Sequence, residues 1–143
     1  YGGYSNGKLP PQRLYYLETA YDGYSPMGTF RNMNIKSFSG NSFLEAHFEH
    51  NFRTLPFKLL NWEWMEDQGI ETLIFVSFGN SWLSKENKNY LNDNYYKDTD
   101  GWYSEIGFGF SKIFLFLRTD FSFKVTPKQG RSFAFTFKIG NIL

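Results

Sequence analysis

From residue 41 onward, apolar and polar positions alternate with a period of two. Between Asn41 and Arg53 the even positions read Leu44, Ala46, Phe48, His50 and Phe52, and the odd positions from Glu45 on read Glu45, His47, Glu49, Asn51 and Arg53. Strict alternation of this kind predicts a strand with one apolar and one polar face. From Ile70 to Trp82 the even positions Ile70, Thr72, Ile74, Val76, Phe78, Asn80 and Trp82 oppose Glu71, Ser77, Gly79 and Ser81, with Leu73 and Phe75 interrupting the polar side and a weaker contrast overall. Trp102 to Lys112 sets Trp102, Ile106, Phe108 and Phe110 against Glu105, Gly107, Gly109 and Ser111. Leu115 to Val125 sets Leu115, Leu117, Thr119, Phe121, Phe123 and Val125 against Arg118, Asp120, Ser122 and Lys124. After the turn residues Pro127, Lys128, Gln129 and Gly130, a last strand sets Phe133, Phe135, Phe137 and Ile139 against Ala134, Thr136, Lys138 and Gly140.

The first forty residues are less regular. Gln12 to Ala20 and Thr29 to Phe38 read as two further strands, parted by the turn signals Asp22-Gly23 and Ser25-Pro26. Leu83 to Gly101 reads as a long polar loop without a core face, and Leu55 to Gln68 as a second connection that carries Trp62 and Trp64. The pattern predicts no helix and no internal repeat.

An all-β chain of this kind fits either a soluble sandwich or a transmembrane barrel, because both place apolar residues on one face only. Segments of about 11 to 13 residues match membrane-crossing strands better than the typical soluble strand of about 5 to 6. Tyr and Trp near the segment ends, at Tyr15, Tyr16, Trp62, Trp64, Trp82, Trp102 and Tyr103, fit a girdle at the headgroup level. An antiparallel barrel is therefore expected, with Phe48, Phe108, Phe121 and Phe135 toward lipid. Glu49, Arg118, Asp120 and Lys138 are expected in its lumen, Arg118 and Asp120 as an inward ion pair.

Composition narrows the function. A net charge of +1 excludes a basic nucleic-acid footprint, and 22% aromatic residues exclude disorder. With Cys 0 there is no disulfide, thiolate metal site or cysteine nucleophile. A mean hydropathy of −0.46 and the lack of any long apolar run exclude a helical membrane protein but not a barrel. Tyr1, with no leader-like segment after it, points to a mature product or a fragment. His47 and His50 differ in parity and point apart on a strand, so they do not read as a metal pair. No serine has a recognisable His/Asp set, and no phosphate loop or paired carboxylates stand out. The expectation is a protein that is not an enzyme and has no cofactor.

The succession of landmarks resembles the C-terminal part of the BamA/TamA-like surface-antigen barrels, most closely Bacteroidota outer-membrane proteins with an N-terminal carboxypeptidase-regulatory-like domain. The landmarks are Leu9-Pro10, Arg13-Leu14-Tyr15, Gly28-Thr29-Phe30-Arg31, Phe38-Ser39-Gly40-Asn41, Phe48-Glu49-His50-Asn51-Phe52, Leu55-Pro56, Gly107-Phe108-Gly109-Phe110, Leu117-Arg118-Thr119-Asp120 and Phe133 to Gly140. The resemblance implies a barrel of sixteen strands, of which residues 1–143 would be the final third. It implies that Leu17 to Met33 is a lid loop folded into the barrel, with Phe30 and Arg31 at its tip. An inward acid that usually meets the tip would fall at Ser77. Phe133, Phe135, Phe137 and Ile139 would form the seam strand. The implied location is the bacterial outer membrane, and the implied work is outer-membrane protein assembly or export. Implied partners are outer-membrane lipid, the remainder of the barrel and other outer-membrane or periplasmic proteins. The residues themselves also leave open a small eight-stranded barrel, a structural or pore-forming barrel and a soluble sugar-binding sandwich.

Overall fold

The computed structural model describes residues 1–21, 23–91, 96–126 and 131–139. The expected turn at 127–130 and the final residues 140–143 lie outside them. Alternating residues form long strands, and neighbours in sequence pair as antiparallel neighbours in space. The strands are β1 (Gly2–Tyr4), β2 (Tyr15–Tyr16), β3 (Ser39–Gly40), β4 (Ser42–Arg53), β5 (Glu71–Trp82), β6 (Tyr103–Ile113), β7 (Leu117–Lys124) and β8 (Phe133–Ile139). Six of them make one sheet in the order β1-β4-β5-β6-β7-β8, and β2 with β3 makes a two-stranded ribbon. The large sheet is open among the described residues, since β1 and β8 are its two edges.

Register sorts the side chains into two faces. Ladder rows such as Glu49, Phe75, Gly107, Ser122 and Ala134 lie on an inner face. Residues 9–38 cover that face. The opposite, outer face carries Leu44, Phe48, Ile74, Val76, Ile106, Phe108, Phe123, Phe133, Phe135, Phe137 and Ile139, all exposed. Ring pairs tie the outer face across strands, including Phe108 with Phe121 at 5.1 Å and Phe121 with Phe135 at 5.2 Å.

The N-terminal part departs from the strand reading. Gln12 to Ala20 holds only the two-residue β2, and Thr29 to Phe38 forms no strand. These residues bury Leu17, Phe30, Met33 and Phe38 against Tyr103, so their apolar side chains serve a plug rather than a ladder. Three short helices also stand where none was expected: α1 (Leu55–Leu59), α2 (Glu63–Asp67) and α3 (Lys85–Tyr90). Pro56 suits the first turn of α1, where a missing N–H is harmless. Ser84 caps α3 by accepting from the Asn87 N–H at 3.3 Å.

The segment from Leu83 has a core face after all. Leu83 and Leu91 pack with Leu9 and Leu14 in a satellite cluster. Buried Asn87 fastens this cluster, because its side chain accepts from the Leu9 N–H at 2.9 Å and donates to the Gly7 carbonyl at 3.2 Å. Strand β7 starts at Leu117 rather than Leu115, since Phe114 and Leu115 adopt φ of 49° and 73°. Two consecutive left-handed residues give the tight return that right-twisted hairpin strands require.

Candidate functional site: a latched lid on the inner face

The segment 17–38 is drawn into a neck where the Ala20 N–H donates to the Phe30 carbonyl at 2.8 Å and the Phe30 N–H to the Glu18 carbonyl at 2.8 Å. Beyond the neck, the Phe30 ring is wholly buried. It meets Tyr103 edge-on at 5.4 Å and His47 at 4.8 Å. Gly79 lies beneath it, and a Cβ there would come within 2.8 Å of the ring. The alternation of Gly with larger residues on the inner face thus marks the seats into which lid and neighbouring side chains sink. At Gly107 the seat is filled by the Phe75 ring, and at Gly109 by the Asp120 carboxylate.

Arg31 is the polar end of the tip. Its Nε donates to Asp120 Oδ2 at 2.9 Å, its Nη2 stands 3.8 Å from Glu49 Oε2, and its guanidinium lies 3.6 Å above the Phe75 ring. Arg118 reaches the same two acids: Nε to Asp120 Oδ1 at 2.7 Å, and Nη1 and Nη2 to the two Glu49 oxygens at 2.7 Å each. Two guanidinium groups and two carboxylates meet where the side chains of Arg31, Arg118 and Asp120 are 4%, 6% and 2% exposed and that of Glu49 is 31% exposed, with Lys138 and Glu105 close enough to add one further charge of each sign. Opposite charges are needed together there, because a lone charge at that depth would cost several kcal/mol. Lys138 stands opposite Arg118 in the β7–β8 register and is half-buried.

A second grip holds the backbone. The N–H groups of Arg31 and Asn32 donate to Oε1 and Oε2 of Glu105 at 2.8 and 3.0 Å. Asn32 Nδ2 donates to Ser122 Oγ at 2.7 Å. One carboxylate therefore clamps two successive amides while a second carboxylate, Asp120, holds the side chain between them.

The structure brings together Phe30, Arg31, Glu49, Arg118 and Asp120. The acid that meets the tip is not at the Ser77 position: Asp120 on β7 and Glu105 on β6 take that part, and Ser77 Oγ lies 2.9 Å from His47 Nδ1. Sequence reading passed over that Ser–His contact. Ser77 is buried and His47 half-buried beside a cleft of about 360 Å³ that both line, and among the described residues His47 Nε2 has no hydrogen-bond partner, so no carboxylate there orients the ring as a hydrolytic triad requires. Sequence reading also missed Glu105 as a latch residue, although it had a signal, as the single acid on the glycine-rich face of its strand. Asn32 stands beside Arg31 in the tip that the resemblance implied, but nothing signalled its bond to Ser122. Of the expected girdle, Tyr103 is buried under Phe30 and Phe38, and Tyr15 packs on Phe43 at 5.1 Å. Trp82 and Trp102 are exposed and meet edge-on at 6.3 Å, while Trp62 and Trp64 are exposed at the far end of the strands. Phe133, Phe135, Phe137 and Ile139 sit on the edge strand β8, on the outer face.

Fold and site together define an open antiparallel sheet whose polar face is plugged by a latched segment of its own chain. No family model, curated protein or solved structure matches the chain.

Proposed function

We propose that the chain is the C-terminal part of an outer-membrane β-barrel with an inward-folded lid, working in outer-membrane protein assembly or export. One observation carries the membrane reading: the apolar face of the sheet is the uncovered one, and the polar face is the covered one. A soluble sandwich has the reverse arrangement, with its apolar faces packed together. A soluble monomer also rarely exposes an apolar patch larger than a few hundred Å².

The dimensions support the same reading. A strand of 12 residues, as in β4 and β5, extends about 40 Å at roughly 3.3 Å per residue. Tilted by about 45° it spans about 28 Å, close to the roughly 30 Å of a hydrocarbon core. Exposed tryptophans at both ends suit the two headgroup levels. A lid that fills the inner face favours a gated barrel over an open pore, which supports the assembly or export reading that the resemblance implies.

In the full-length protein, Phe48→Arg should lower stability in a bilayer by about 2–4 kcal/mol. On a water-facing surface the same change would stay within about 0.5 kcal/mol, and that result would remove the membrane reading. Depleting the protein should lower the outer-membrane content of other proteins; unchanged levels would leave a structural barrel.

A further inference from the structure

Strand β8 is an edge, yet part of its edge is occupied. Its even residues turn their backbone groups toward β7, as the bond from the Lys124 N–H to the Ser132 carbonyl marks the same alternation at its start. The N–H and C=O groups of Phe133, Phe135, Phe137 and Ile139 therefore point away from the sheet, in one row. At Phe137 the row is filled by the lid: the Phe137 N–H donates to the Gly23 carbonyl at 2.6 Å, and the Ser25 N–H donates to the Phe137 carbonyl at 3.1 Å. Tyr24 thereby forms a parallel bridge with Phe137. Lower down, the Arg131 N–H donates to the Asn32 carbonyl at 3.2 Å. A cleft of about 200 Å³, lined by Gly23, Arg131, Ala134 and Phe135 among others, separates these two points.

We infer that residues 23–25 are a removable edge cap, a one-residue surrogate strand that holds β8 until the strand that closes the barrel, from the remainder of the same polypeptide, displaces it. The inference rests on the barrel reading above. Three features argue for this occupant. The outward row offers backbone groups at four successive odd residues and the cap satisfies one, so a full strand gains the rest. The side chains of that row form an unbroken apolar file on the outer face, continuous with the rest of the sheet. The cap is also joined to the latch by few bonds: Ser25 Oγ lies 3.3 Å from Thr29 Oγ1, and Thr29 Oγ1 donates to the Pro26 carbonyl at 2.9 Å. Its first residue, Gly23, and Gly28 beyond its end adopt φ of 91° and 72°, a conformation open to glycine, and space around Gly28 is free. The latch proper begins only at Thr29.

The test uses Tyr24→Cys with Phe137→Cys in the full-length protein, refolded from urea into detergent micelles. β-Bridge partners lie within the Cα separation a disulfide tolerates. Oxidant added at the start of refolding should trap the crosslink, and the trapped protein should not reach the compact, heat-modifiable form until reduced. Oxidant added after refolding should give at least about fivefold less crosslink. The inference is overturned if the trapped protein becomes compact as readily as the reduced one, or if crosslinking is equally complete after folding. Ser25→Pro, which deletes one donor of the cap, should speed the appearance of the compact form roughly fivefold; an unaltered rate also overturns it. Failure of the parent reading looks different, because the unmodified protein would then reach its protease-resistant form without detergent, and the cap would fall with it.

Discussion

Asp120→Ala removes the acid that both guanidinium groups hold by direct hydrogen bonds. Arg31 loses its bond at 2.9 Å, and Arg118 loses bonds at 2.7 and 3.0 Å. Glu49 remains, bidentate to Arg118 but 3.8 Å from Arg31, so the cluster loses one negative charge beside Arg31, Arg118 and Lys138. Breaking a buried pair on one side costs about 3–5 kcal/mol, and the upper half of that range applies here because Arg31 keeps only a distant acid and the Phe75 ring. We expect about 4 kcal/mol. Arg31→Ala leaves Asp120 bonded twice by Arg118, which places it near the lower limit, about 3 kcal/mol. The double variant retains the bidentate Arg118–Glu49 pair and removes one charge of each sign. Its cost should be about 5 rather than about 7 kcal/mol, a coupling of about 2 kcal/mol, within the range found for contacting residues. Equilibrium unfolding of the full-length protein measures the totals, and amide exchange at Arg31 and Asn32 shows whether the lid is the part released. Additive costs, or a single cost below about 1 kcal/mol, would mean that the cluster is solvated and does not hold the lid.

Two other outcomes follow from the packing. Gly107→Ala should cost about 1–3 kcal/mol in the same unfolding measurement, as overpacking does, because its Cβ would strike the Phe75 ring and the Phe121 carbonyl; a neutral result would show that Phe75 is not fixed by the lid. If α3 and its flanks face outward from the cell, protease added to intact cells should cut at exposed Lys85 or Lys88 and spare Ile113, and the opposite pattern would invert the topology.

The two faces of the sheet were legible because a strand's side chains have a period of two, and five successive strands, β4 to β8, repeat it. The exceptions on β5, Leu73 and Phe75, carried information that parity alone did not decode. Both are buried on the polar face, and Phe75 is covered there by the lid, supporting the Arg31 guanidinium. The lid itself has no period, since its apolar residues are spaced to meet holes in another surface. Thr29 to Phe38 therefore imitated a strand locally, and only the resemblance read residues 17–33 as a loop. The helices near Pro56 and Ser84 are five or six residues long, too short for a 3.6-residue stripe to show. The soluble-sandwich alternative was not separable from sequence, because parity says which residues share a face and not which face is covered.

Glu105 tests whether the latch is a matter of charge or of geometry. Its two oxygens each accept one backbone N–H, and the carboxylate is wholly buried with Tyr103 Oη a further 3.5 Å away. Glu105→Gln preserves shape and one acceptor but turns an NH2 group toward one of the two amides, so a donor faces a donor there even where the NH2 itself can reach the Tyr103 hydroxyl. An unsatisfied buried group costs about 1–3 kcal/mol, and since about 1.4 kcal/mol is a factor of ten, exchange at the opposed amide should rise roughly ten- to hundredfold. The bond between Arg31 and Asp120 is untouched, so the other amide and the global stability should move much less. If both amides keep their protection in Glu105→Gln, the backbone clamp is incidental and Asp120 alone retains the tip. If both are lost together with the fold, the lid is a part of the core rather than a separable latch.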